Sequence, residues 1–237
     1  MPFTIGPAGD SAMRLSFQEA PSPRLTQILL QLQRTAQRYF LESLSDSVVG
    51  YATLTLFFTP LSLQRDQVTV WLEKTALSLC DARHVLDTPS TETVVLPVFY
   101  DPAVAPDLIS VADELGLTID ALITLHSATP YFAFATGFAP GFCYLGTLDS
   151  RLKTQRLSTP RLRVPAGAVA IADQQTAVYP CESPGGWQII GACPVTLFDM
   201  AATPASKLAV GDSVRFESID EHTYRALGGR FANADAR

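Results

Sequence analysis

No apolar run in these 237 residues approaches the roughly 20 needed to cross a bilayer as a helix, so membrane insertion by that route is not expected. The opening, "MPFTIGPAGD", lacks a basic stretch followed by an apolar core, and no secretory leader is read there; the expected location is cytoplasmic. Positive charge is scarce, with 17 Lys and Arg against 23 Asp and Glu and a formal charge of −6. A surface of that sign disfavours nucleic acid and anionic membrane as main partners. Cys80, Cys143, Cys181 and Cys193 stand far apart, without a C-x-x-C pair, and there are three histidines and no H-E-x-x-H. A structural zinc site is therefore not expected, and the thiols read as reduced packing residues. None of the three lysines follows a glycine, which excludes the Gly-Lys-Ser/Thr end of a Walker-type phosphate loop. Internal repeats and low-complexity linkers are missing too.

What is present describes a compact globular chain, 47% hydrophobic and 17% charged. Its two halves have different rhythms. "AMRLSF" points Met13, Leu15 and Phe17 to one face, a half-buried strand. "PSPRLTQILLQLQRTAQRYF" spaces Leu25, Ile28, Leu32, Ala36 and Tyr39 for a helix, with Pro23 in its first turn. "SVVGYATLTLFFTP" reads as two strands, "LQRDQVTVWLEKTALSLC" as a helix and "TETVVLPV" as a last strand. The order β-α-β-β-α-β predicts a ferredoxin-like α+β domain over residues 1–97. Two short helices follow, the second with Thr118 as N-cap and Asp120 in its first turn. After Pro130 come the short strands "YFAFATGF", "VAIA", "TAVYP", "WQIIG" and "SVRFESID", separated by Gly/Pro turns, which predict a β-barrel over 98–237. The tail "GGRFANADAR" reads as frayed.

Four stretches of the second half join a Gly/Pro turn to a strand: "GFAPGFCYLG", "TPRLRVPAGAVAIA", "QQTAVYP" and "SPGGWQIIG". Rings beside exposed peptide groups suit a pocket wall, and they suit ordinary barrel corners equally. Arg151, Lys153, Arg156, Arg161 and Arg163 crowd into the same region of an acidic protein. Guanidinium groups grip carboxylates in two-pronged fashion, so a small anionic ligand fits; a basic strand edge that guards against aggregation fits as well. His126 ends the second short helix, where it is either a proton-transfer group or a satisfied core histidine. Gln175 both donates and accepts, as an amide or carboxylate ligand requires.

With those stretches in order, the chain resembles the bacterial PxpB/KipI family: the B subunit of 5-oxoprolinase, allophanate hydrolase subunit 1, and an inhibitor of a sporulation histidine kinase. The likeness covers most of the chain and is densest over 126–199. It is also similar to the N-terminal half of the carboxyltransferase domain of urea amidolyases. The resemblance implies a small α+β domain followed by a mainly-β cyclophilin-like barrel. It further implies two partners, a homologous C subunit together with an ATP-using A subunit, so that no cofactor or metal is held by this chain itself. The implied reaction is ATP-dependent opening of 5-oxoproline to glutamate, with this chain inactive alone. The alternatives are a KipI-type kinase inhibitor and half of a urea or allophanate carboxyltransferase. Carried over by motif, His126 and Gln175 are the catalytic candidates, and Phe138, Pro140, Gly141, Phe142, Tyr144, Arg163 and Trp187 line the cleft for a small anionic lactam or amide. The chain departs from the family pattern at Thr147, Gln155, Asp173, Gln174, Ala192 and Cys193. The loss of two glycines at 173–174 predicts a differently shaped loop beside Gln175.

Overall fold

A computed structural model describes residues 1–59, 63–81 and 93–231. The chain divides into two compact units, Met1–Pro89 and Ser90–Arg237. In the first, β1 (Phe3–Pro7) and β2 (Ala12–Phe17) precede α1 (Pro23–Phe40), and β3 (Leu44–Val49) and β4 (Thr53–Phe58) precede α2 (Arg65–Asp81). The strands form one antiparallel sheet in the order β1-β2-β4-β3. The alternation of β2 puts Met13, Leu15 and Phe17 in the core and leaves Arg14 exposed. Ser22 caps α1 by accepting from the Leu25 N–H, and Pro23 opens the helix where a missing N–H costs nothing. Leu25, Ile28, Leu29, Leu32, Ala36 and Phe40 form its buried stripe. Tyr39, expected on that stripe, is exposed instead and stacks on Trp71 of α2, with centroids 5.6 Å apart. Position 40 completes the 28–32–36 row at a spacing of four, and position 39 falls about 100° away from it.

The sheet corrects the predicted order. Its fourth strand is the N-terminal β1, which the Gly/Pro-containing segment "FTIGP" concealed. The strand expected to finish the first domain, β5 (Thr93–Val98), belongs to the second unit. There it pairs in parallel with β13 (Ser213–Ser218), over six residue pairs.

The second unit continues with α3 (Leu108–Leu115), α4 (Ile119–Ala128), β6 (Tyr131–Thr136), β7 (Cys143–Gly146), β8 (Arg161–Val164), β9 (Ala168–Ala172), β10 (Gln175–Val178), β11 (Ser183–Gly185) and β12 (Gln188–Ala192); α5 (Glu221–Ala226) follows β13. Seven strands run in the order β12-β9-β10-β7-β6-β13-β5. Reciprocal Phe99–Ala192 hydrogen bonds, both 2.9 Å, join the two ends of that order and nearly close the barrel. Closure removes the sheet edges that would otherwise invite association. Leu96, Tyr131, Leu145, Ile171, Val214 and Phe216 are among the residues of its core. β8 and β11 form a separate two-stranded ribbon. Thr118 caps α4 through the Ala121 N–H, as its sequence predicts. The tail, expected to fray, is packed up to Phe231, whose ring lies 6.1 Å from Phe99 and 5.9 Å from Tyr224; residues 232–237 lie outside the described part.

Candidate functional site

Three of the expected cleft residues assemble around the ring of a fourth. Phe142, almost fully buried, has Phe138 at 5.1 Å, Tyr144 at 4.9 Å and Trp187 at 6.0 Å, all edge-on. A fifth ring, Tyr179, completes the group at 5.4 Å. Its position at a strand end before Pro180 was visible in "QQTAVYP", yet nothing there distinguished it from a core tyrosine. Burial raises the Tyr179 phenol above its ordinary pKa, opposed by a hydrogen bond from the Trp187 backbone and by Arg156 and Arg161 nearby. Edge-to-face rings at these distances add attraction beyond their burial. The cluster is thus a filled aromatic core, with Phe138 alone well exposed.

Gly141 and Pro140 serve the turn beside it. Gly141 has φ +82°, and a Cβ there would lie 2.6 Å from the Phe198 Cβ and 3.3 Å from the Pro180 Cβ. Its lack of a side chain lets two chain segments meet, which is a packing role. Pro140 is exposed.

Gln175 and His126 stand on opposite sides of the sheet. Gln175 lies across from Gly146, two residues beyond Tyr144, so it shares the face that carries the aromatic group. The next residue, Thr176, points the other way and meets His126, whose Nε2 is 2.9 Å from the Thr176 Oγ1. Thr176 itself donates to the Ala170 carbonyl, so the imidazole Nε2–H is the donor to Thr176. Nδ1 accordingly accepts from the Tyr100 hydroxyl at 2.6 Å, and Phe216 stacks on the ring at 4.6 Å. Fully buried and satisfied at both nitrogens, His126 has its pKa lowered to about 3 by desolvation. It sits behind the sheet as a neutral core histidine, apart from the aromatic group. At the loop before Gln175, Asp173 adopts the left-handed conformation itself, with φ 54°, so the chain keeps a tight β9–β10 turn without glycine.

The cluster of cations over 151–163 is largely neutralised. Arg151 pairs with Asp149, Arg156 lies 3.7 Å from Asp173, and Arg163 grips Glu182 with both prongs at 2.8 and 3.2 Å. Arg156 also rests over the Trp187 ring at 5.7 Å. Arg161 donates to Asp107 at 2.5 Å, and the other Asp107 oxygen accepts from the Ile189 N–H at 2.6 Å. Its second terminal nitrogen, Nη1, is buried without a partner among the described residues. Arg163 therefore spends its two-pronged grip on Glu182.

Glu182 leads to a feature that the motifs did not announce. A cavity of about 470 Å³ is lined by residues 165–168, 192–196 and 228–231 with Pro180 and Glu182. Its volume lies within the range of small-molecule sites, about 300–1,000 Å³. Tyr179 and Pro180, adjacent in sequence, serve the aromatic group and the cavity respectively. Cys193 lines it as a buried thiol whose pKa burial raises to about 11. Ala192 and Cys193, two of the departures from the family pattern, both lie in this wall. Its lining spans residues 104 to 231, so sequence proximity offered no signal for it. Among the described residues no three His, Cys, Asp or Glu side chains converge as metal ligands, and no helix is long and apolar enough to cross a membrane.

A barrel of this connectivity, preceded by a small α/β unit, defines a class. The family model for the carboxyltransferase domain, subdomains C and D, matches residues 3–208, and the chain belongs to that family. Within it, the chain is 38% identical over 192 residues to the B subunit of 5-oxoprolinase from Escherichia coli O157:H7, covering 78% of this chain and 84% of the relative. The crystal structure of TTHA0988 superposes with a TM-score of 0.76 at 34% identity, over 88% of this chain. This chain spans 40% of that longer polypeptide. The urea amidolyase of Kluyveromyces lactis shares the fold, with a TM-score of 0.74 at 14% identity over 94% of this chain and 15% of its own.

Proposed function

We propose that this protein is the B subunit of a 5-oxoprolinase, the non-ATP-binding component of a complex that opens 5-oxo-L-proline to L-glutamate. The observation that carries the reading is the extended identity to a relative of that name, over most of both chains. On this reading a homologous C subunit together with an ATP-using A subunit completes the enzyme, this chain is inactive alone and holds no cofactor, and the complex works in the cytoplasm. The reaction explains the need for a complex. Amide resonance opposes attack on a lactam, and phosphorylating its oxygen with ATP creates a better electrophile that must be positioned and kept from water. His126 offers no free imidazole for that chemistry, since both its nitrogens are engaged. This chain's part is therefore to bind and orient the substrate. Gln175 and the exposed ring of Phe138 then serve the interface with the C subunit.

The strand neighbours support the finer fold reading. With β1 standing where a ferredoxin-like sheet has its last strand, the first unit is a variant of that fold, and the second is cyclophilin-like. The family match also favours a second reading, half of a biotin-dependent carboxyltransferase acting on urea-like amides. Mixing the purified chain with its A and C counterparts, ATP and 5-oxoproline is expected to release glutamate. Absence of turnover in the full mixture, or co-purification with a biotin-carrying partner, sinks the first reading in favour of the second.

A further inference from the structure

The cavity beside Glu182 has walls whose charge can be counted. Among the described residues Glu182 is the one carboxylate in its lining, and Arg163, itself outside the lining, neutralises it through two hydrogen bonds. Arg230 is the lining guanidinium, and it has no hydrogen bond or ion pair from its side chain among the described residues. The Cys193 thiol and the Tyr224 phenol are held neutral by burial, so among the described residues the cavity keeps one uncompensated positive charge. Its other surfaces are apolar or small: Val104, Pro165, Pro180, Pro194 and Val195. The Thr196 hydroxyl also lines it.

The position of Arg230 is built by the chain around it. The Tyr224 hydroxyl donates to the Arg230 carbonyl at 3.0 Å, which fixes the backbone there. The next residue, Phe231, is anchored by Phe99, by Tyr224 and by the Arg225 guanidinium 4.4 Å above its ring. Gly229 makes the return possible, because any Cβ at that position would lie 2.5 Å from the Tyr224 ring. These contacts hold the backbone from which the exposed Arg230 side chain reaches the cavity, and a guanidinium can grip a carboxylate with two prongs.

We propose that this cavity binds a small monocarboxylate with a compact, largely apolar body, and that Arg230 anchors its carboxylate while Thr196 meets its polar edge. The charge count selects the class. A nucleoside triphosphate would bring several negative charges to a single guanidinium, and a neutral amide would leave that guanidinium unmatched on desolvation. The carboxylate class rests on Arg230; its identification as 5-oxoproline rests on the function proposed above.

The test is calorimetric titration of the purified full-length chain with 5-oxoproline and with 2-pyrrolidinone, the same ring without the carboxylate. Binding of 5-oxoproline at one site, at least tenfold tighter than 2-pyrrolidinone, is expected. Arg230→Ala should weaken 5-oxoproline at least tenfold and erase its advantage, Arg230→Lys should restore part of it, and Thr196→Trp, which fills the space, should abolish binding. Equal affinity for the two rings, no binding of either, or 5-oxoproline binding that ignores both Arg230→Ala and Thr196→Trp overturns the inference. The two proposals fail separately. If the assembled complex releases glutamate while Arg230→Ala leaves KM unchanged, the cavity assignment falls and the function stands. If the complex is inert but the chain binds 5-oxoproline through Arg230, the function falls and the cavity stands.

Discussion

The second unit has two places where Gly/Pro turns meet strand ends, and they are filled in opposite ways. Phe142 and the four rings around it interdigitate and leave Phe138 as the exposed edge. Beyond Pro180, turns of similar composition enclose an open volume of about 470 Å³. Rings fill the first side here, whereas on the hollow side Tyr224 and Phe231 share the wall with prolines, small residues and the Arg230 cation. The difference teaches that rings in a Gly/Pro motif can exist to hold the motif's own turns together.

The largest effect expected from this contrast comes from hollowing the filled side. Phe142→Ala removes the ring touched by four others, and by analogy with buried aromatic truncations it should cost about 3–5 kcal/mol of unfolding free energy. Urea denaturation of the purified chain measures this. A loss under about 1 kcal/mol would mean that the cluster is loosely packed and open to ligand. Next comes the buried ion pair that ties the ribbon strand β8 to the start of α3. Arg161→Ala strands a mostly buried Asp107 with the Ile189 N–H as its remaining contact, and about 3 kcal/mol should be lost. Asp107→Asn in the same background should recover part of that, because the amide is neutral and still accepts from Ile189.

His126 gives the third expectation, a pH dependence with a defined sign. In the unfolded chain the imidazole takes a proton near its ordinary pKa of 6.5, whereas in the fold it does so near 3. Between those values the unfolded state binds the extra proton, so stability is full above about pH 6.5 and falls as pH drops toward 3. At about pH 4.5 this group alone should cost about 2–3 kcal/mol, at about 1.36 kcal/mol per unit. Stability curves of the parent and His126→Gln at about pH 7 and about pH 4.5 isolate it: the difference between the two proteins should shrink on acidification. A parallel decline of both would show that the imidazole is not the group titrating.

How much of this was legible in the chain follows from which interactions are local. The cap at Ser22, the stripe of α1 and the alternation of β2 depend on neighbours within a few residues, and these emerged from periodicity. The partner of a strand does not. "TETVVLPV" has the same alternation whether it ends the first sheet or lies beside β13, far along the chain, and register alone decides. The site divides along the same line. The ring-bearing motifs and Gln175 were visible as short patterns, and they do share one region of the barrel. The neutralisation of Arg163 by Glu182 was not, since it depends on the β8–β11 ribbon bringing residues 19 apart together. His126 carried two readings in the sequence; its neighbours Tyr100 and Thr176, 26 and 50 residues away, decide for the core.

Arg163 supplies the smallest stability effect and the sharpest test of the hollow side. Its pair with Glu182 is exposed, with about three quarters of the Arg163 side chain open to solvent, so water and salt screen the attraction. Arg163→Ala should change the unfolding free energy by no more than about 1 kcal/mol, well below the loss expected at Arg161 two residues earlier. Binding should respond differently. Without Arg163, the Glu182 carboxylate in the cavity lining is uncompensated and cancels the charge of Arg230. Affinity for 5-oxoproline should then fall severalfold, and Arg163→Ala combined with Glu182→Gln should restore it, because the double variant returns the cavity to one net positive charge. A single variant that binds like the parent would show that Glu182 faces away from the ligand and that the charge count of the cavity rests on Arg230 alone.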